Sequence, residues 1–134
     1  MAVVVSNHRE LLNRILDDHG LASDTLEVVP NVREWCHAHG VDEASSFRQA
    51  KCLCRHSDGA CHIVMADVLT DDAISSGKGA MEYRGLSAEV AALDTDMKYL
   101  VHLMLHEIAR HVLGSTEQEP RDKWAFEHVS KYAI

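Results

Sequence analysis

The sequence predicts an α+β fold: a small twisted antiparallel sheet packed with helices, and a long central helix carrying a His-Glu pair, followed by a C-terminal helix. Three observations predict it. Apolar residues recur at three-to-four-residue spacing in separate stretches, two β-prone runs flank an Asp-Gly pair, and the strongest helical pattern, near 94–114, is followed across a polar turn by a second one. At 134 residues the chain fits a single domain, 1–134, able to bury roughly two-thirds of its unfolded surface without a disulfide or metal.

Asn7 with Glu10 three residues on reads as a capping-box variant, and Leu11, Leu12, Ile15 and Leu16 give the helix behind it one apolar face up to Gly20. Leu26 to Val29 is a short β-prone run closed by Pro30. Asn31 and Glu34 then open a second helix, with Val32, Trp35, Cys36 and His39 on one face before Gly40. Two extended runs, AKCLCRH and CHIVMA, flank Ser57-Asp58-Gly59-Ala60 and predict a β-hairpin. Asp67 to Arg84, rich in Asp, Ser and Gly, predicts a long surface loop. Its Gly77-Lys78-Gly79 fails as a phosphate loop, because Asp72 stands where the first glycine belongs and Gly79 follows the lysine. Ser87 to Leu93 reads as a short helix or a lead-in to the long one. Asp94 or Thr95 caps the long helix, Leu100, Val101, Met104, Leu105, Ile108 and Val112 form its apolar face, and Gly114 stops it. Pro120 suits the first position of a last helix running toward Ile134.

Composition narrows the function classes. Thirteen basic against twenty-one acidic residues leave a net charge of −8, which opposes contact with phosphate backbones, so direct nucleic-acid binding is not expected. No apolar run approaches a membrane span, and MAVVV is too short for a signal peptide, so a cytoplasmic protein without membrane contact is expected. The four cysteines form no CxxC pair and read as reduced thiols, while ten histidines raise the prospect of metal or proton chemistry.

The long helix concentrates that chemistry in His102, His106, Glu107 and His111. In an HExxH motif two histidines four apart hold zinc and the glutamate activates water. Here the second histidine of HEIARH comes five residues after the first, and Arg110 takes its place. His106 and His111 lie about 140° apart on a regular helix, so a shared ion requires a one-residue π-bulge near Ala109 and Arg110. His102 and His106, four apart, lie on one face and form an alternative pair. The plain reading is that these histidines are buried and hydrogen-bonded while Glu107 and Arg110 pair with neighbours. In the hairpin, Cys52, Cys54, His56 and Cys61 project from one face, with His56 opposite Cys61, as either a zinc site or packed thiols. On the last helix Asp122 and Glu119 lie on the side of Ala125, where either carboxylate faces the histidine helix or simply favours its own helix N-terminus.

HEIARHVLG followed by RDKWAFEHV resembles the ImmA/IrrE family of zinc metallopeptidases, whose signature is HE(I/L)(A/G)H, a small-residue turn and a helix of the form ExxA(D/N)xWA. The order of earlier elements extends the resemblance over residues 8–133, although only the last forty or so residues carry motif content. The resemblance implies a zincin-type fold, zinc as cofactor, and a protein partner or peptide substrate such as a transcriptional regulator, in mobile genetic elements or stress responses. It places His106 on the first zinc ligand and Glu107 on the catalytic base. Arg110 falls on the second ligand and Gln118 on the third, and neither substitutes well for a histidine or carboxylate. Two readings follow. One is a non-catalytic relative with disrupted zinc ligation that binds a regulatory protein. The other is an active zinc endopeptidase using a bulged helix, with His106, His111 and Glu119 as ligands and Glu107 as base.

Overall fold

A computed structural model describes residues 2–41, 49–54, 60–114 and 117–132. Strand β1 (Val3–Val4) enters a 3₁₀ turn at Val5–His8 that runs into helix α1 (Arg9–Asp18), and Leu12, Ile15 and Leu16 are fully buried. The expected capping box is not formed: Asn7 lies inside the 3₁₀ turn, and α1 begins without a side-chain cap. Arg9 instead ties the start of α1 to the chain at Leu26, donating from Nη2 to its carbonyl at 2.9 Å.

Strand β2 (Leu26–Val29) and helix α2 (Val32–Ala38) follow at the expected positions, with Asn31 Oδ1 accepting from the Glu34 amide. Strands β3 (Ala50–Cys54) and β4 (Cys61–Ala66) pair antiparallel, and β2 adds to the other edge of β4 in parallel. The sheet order is thus β2-β4-β3, a mixed sheet where an antiparallel one was expected. Parallel pairing is possible because α2 and β3 intervene between β2 and β4 along the chain. The hairpin register sets Cys54, not His56, opposite Cys61. The shift moves the pairing by two positions, so Cys52, Cys54 and Cys61 keep a common face. His56 and the Asp58-Gly59 turn lie outside the described residues.

Strand β5 (Val68–Leu69) pairs with β1 as a second, two-stranded sheet. The loop expected at Asp67–Arg84 is mostly helix α3 (Asp71–Tyr83). Thr70 caps it by accepting from the Ala73 amide, Asp71 and Asp72 sit in its first turn, and Ile74 and Met81 face the core. Gly77 has a packing reason, since a Cβ there would overlap the hydroxyl of Tyr99, whereas Gly79 faces open space. Helix α4 (Ser87–Ala91) leads to α5 (Asp96–Leu113), which Thr95 caps at the Lys98 amide and Gly114 ends in the left-handed region.

Helix α6 (Gln118–Val129) starts two residues before Pro120 and stops at Ser130, shorter than expected. Packed against the sheet and beside α1, α5 is the centre of the core, with Leu100, Val101, Met104, Leu105 and Ile108 fully buried. It is α-helical from end to end, without the bulge that zinc ligation by His106 and His111 requires.

Candidate metal centre

Helices α5 and α6 meet as an antiparallel pair, so residues earlier on α5 meet residues later on α6. Glu107 contacts Arg121, His106 contacts Asp122, and the ring of His102 lies 4.2 Å from that of Phe126. The four-residue spacing of His102 and His106 stacks both imidazoles on the side facing α6. Between them sits Asp122, which is 2% exposed. Its Oδ1 is 2.8 Å from His106 Nδ1 and 3.4 Å from His102 Nε2. Arg84, from the turn after α3, places Nη1 2.6 Å from the other oxygen, Oδ2.

These separations do not resolve into a closed hydrogen-bond network. His102 Nδ1, His106 Nδ1 and Asp122 Oδ2 are buried without a partner in hydrogen-bonding alignment among the described residues. His106 Nδ1 and Asp122 Oδ2 nonetheless lie at ion-pair distance from Asp122 Oδ1 and Arg84, which leaves His102 Nδ1 as the atom of the three with no polar partner among the described residues, a cost on the order of 1–3 kcal/mol. His102, His106 and Asp122 offer ligand atoms that all lie within 4.8 Å of one another, a group able to hold a metal ion. Bonds of ~2.0–2.1 Å to nitrogen and oxygen give ligand–ligand edges of about 3.3 Å in a tetrahedral zinc site, close to the 3.4 Å between His102 and Asp122, whereas the 2.8 Å between His106 and Asp122 is a hydrogen-bond separation that ligation would widen. Two imidazoles and one carboxylate also make a donor set suited to zinc.

Charge prepares the group for a cation. Burial pushes the Asp122 carboxyl up, but His102, His106 and Arg84 outweigh that effect and hold it well below the usual carboxylate range. Burial pushes His102 down and the neighbouring Asp122 only partly restores it, so the imidazole is neutral with a lone pair to give at neutral pH. The cluster forms one wall of a pocket of about 410 Å³, which Glu107, Arg110, Arg121 and Leu103 also line. Glu107, 5% exposed, accepts from Arg121 Nη2 at 3.1 Å, and Arg121 Nε also donates to the His106 carbonyl at 3.3 Å.

The residues singled out in the sequence are therefore divided. His106 joins the metal-capable group, and Glu107 reaches the pocket inside an ion pair. His111 instead points to the hairpin, its Nδ1 3.0 Å from Cys61 Sγ, and Glu119 is exposed on the first turn of α6. Among the described residues, His106, His111 and Glu119 are not brought together. Asp122 comes from the side of α6 that the sequence pointed to. Arg84 and Arg121 gave no signal in the sequence, because their role depends on how α3 and α6 seat against α5.

The second cysteine-bearing group is on the sheet. Cys52, Cys54 and Cys61 bring their sulfurs together, with Cys52–Cys54 at 3.9 Å and Cys54–Cys61 at 2.7 Å. All are free thiols. Burial, then the hydrogen bond with Cys54, pushes Cys61 up to about 11, and burial raises Cys52 further.

No known protein family, curated protein or solved structure matches this chain.

Proposed function

We propose that the chain is a metal-binding relative of the ImmA/IrrE peptidases that holds zinc on His102, His106 and Asp122 and uses the adjoining pocket to bind a segment of a protein partner without cleaving it. The observation that carries this reading is the convergence of two imidazoles and a carboxylate, whose ligand atoms all lie within 4.8 Å of one another. The resemblance supports it in a shifted form. Matched to the family motif, the ligand positions are His106, Arg110 and Gln118. One helical turn toward the start of α5 gives His102 and His106, and one turn further along α6 gives Asp122. Because the two helices are antiparallel, both shifts run in the same direction in space. The ligand set is thereby moved as a unit rather than lost.

The same shift argues against cleavage. The water-activating position, one residue after the first ligand, becomes Leu103, an apolar side chain. Glu107 is instead held by Arg121. Zinc with three protein ligands keeps an open position and acts there as a Lewis acid. On this reading a partner's carboxylate, imidazole or carbonyl fills that position, and an acidic protein of net charge −8 favours a basic partner, with a transcriptional regulator as the expected class. Glu107 favours the second reading, a zinc endopeptidase, since it reaches the pocket one residue after His106 and would serve as base once released from Arg121.

Zinc analysis of protein purified without chelator or histidine tag tests the site. His102→Ala and Asp122→Asn should each remove about one equivalent per chain, whereas Glu119→Gln should remove none. Undiminished zinc in the first two variants would reject the ligand set. Incubation of the zinc-loaded protein with basic regulatory proteins should leave them intact. Cleavage that disappears in Glu107→Gln would establish the endopeptidase instead.

A further inference from the structure

We infer that the β3–β4 hairpin and the C-terminal end of α5 form a second, separate metal site, in which Cys52, Cys54 and Cys61 hold a thiophilic ion, zinc by preference, and His111 completes the coordination. Two independent features bring the ligands together. The register of the hairpin pairs Cys54 with Cys61 and keeps Cys52 on the same face, so that three sulfurs point to one side of the sheet. That side is the one α5 crosses, and its last turn places His111 Nδ1 3.0 Å from Cys61 Sγ.

The convergence of three sulfurs suits a thiolate site. Zinc–sulfur bonds of ~2.3 Å give sulfur–sulfur edges of about 3.8 Å in a tetrahedral site, and Cys52–Cys54 lies at 3.9 Å. Cys54 and Cys61, at 2.7 Å, are closer than that edge and well beyond the ~2.05 Å of a disulfide, so ligation would move these two sulfurs about 1 Å further apart. Three thiolates hold the ion, and His111, which meets Cys61 but not all three sulfurs, would close the set of four by a rotation of its exposed side chain, the pattern of a structural rather than a catalytic zinc site. An entry path exists, because Cys54 and Cys61 are only part-buried and His111 is exposed. The ion would pin the hairpin to the end of α5, next to the turn that leads into α6. His111 thus acquires a ligand role in a different place from the one that the HEIARH motif suggested.

Cobalt(II) is the probe, because its spectrum separates the two sites. Titrated into the reduced, metal-free full-length protein, it should produce thiolate-to-cobalt charge-transfer absorption and the intense d–d bands of tetrahedral coordination. Cys61→Ser should abolish the charge-transfer band and His111→Gln should shift the d–d bands. His102→Ala should leave the charge-transfer band unchanged, so failure of this site is distinguishable from failure of the first. Cys54→Ser serves the same end if Cys61→Ser does not fold. Absence of the charge-transfer band at saturating cobalt, or its survival in both cysteine variants, would overturn the assignment. So would the loss of two titratable thiols in protein isolated without reductant, reversed by reductant, since this would make Cys54 and Cys61 a redox pair.

Discussion

Asp122 joins the two histidines to Arg84. Without a metal, its charge faces two imidazoles and the Arg84 guanidinium in a nearly sealed setting. The direction of the linked stability follows from the two shifts. Both His102 and Asp122 have lowered folded-state values, so the unfolded chain binds more protons at acid pH and stability falls as pH falls. The metal-free protein should lose stability first below ~6.5, as His102 becomes protonated on unfolding, and again below ~4 as Asp122 does. Urea unfolding across pH 4–8 in chelator checks it, and His102→Gln should flatten the upper limb. Removing Arg84 is a sharper cut. Arg84→Met leaves Asp122 Oδ2 without its cation, and a broken buried pair costs about 3–5 kcal/mol; the half-exposed guanidinium puts the expected loss below that range. Zinc should restore part of it. At this scale the sequence was informative up to a point: the i, i+4 spacing of His102 and His106 and the placement of Asp122 on the Ala125 side were readable. The choice between Asp122 and Glu119 was not, because it depends on the register of two helices, which no local pattern encodes.

Among the elements, α5 was legible because its periodic apolar face, Thr95 cap and Gly114 stop all agree. Thr95→Ala should cost about 1 kcal/mol in thermal or urea unfolding, the usual worth of such a cap. Helix α3 was not legible. Ser75, Ser76, Gly77 and Gly79 dilute its propensity and leave only Ile74 and Met81 buried, too few for a visible period. Its cap, Thr70 followed by Asp71 and Asp72, was the signal that could have found it. Gly77 shows why a poor helix former sits there. Alanine would gain up to ~1 kcal/mol of helix propensity but drive a methyl into the Tyr99 hydroxyl, which donates to Gln49. Overpacking costs about 1–3 kcal/mol, so Gly77→Ala should destabilise, and Gly77→Ala in a Tyr99→Phe background should destabilise less. Chemical denaturation of the four proteins in that cycle gives the coupling directly.

For the molecule as a whole, the α+β class followed from period and turn chemistry, whereas the parallel placement of β2 beside β4 is a long-range choice that neither strand announces. Two metal-capable groups lie on either side of the same helix: His102 and His106 look toward α6, and His111 looks toward the sheet. No helix among the described residues is long and apolar enough to cross a membrane. An ion held where α5, α6 and the Arg84 turn meet would stabilise the folded chain. At free zinc 100-fold above the dissociation constant the gain is about 2.7 kcal/mol per site, and it should appear as a melting temperature that rises with zinc and returns with chelator. A melting temperature indifferent to zinc would mean that neither group is assembled for it.

The most direct measurement is an anomalous difference map at the zinc absorption edge from crystals of the zinc-loaded protein. A peak bounded by His102, His106 and Asp122 is expected, with Glu119 remote from it. A peak shared by His106 and His111 on a bulged α5, or no density beside Asp122 at full zinc loading, would contradict the ligand set and return the histidine cluster to a purely structural role.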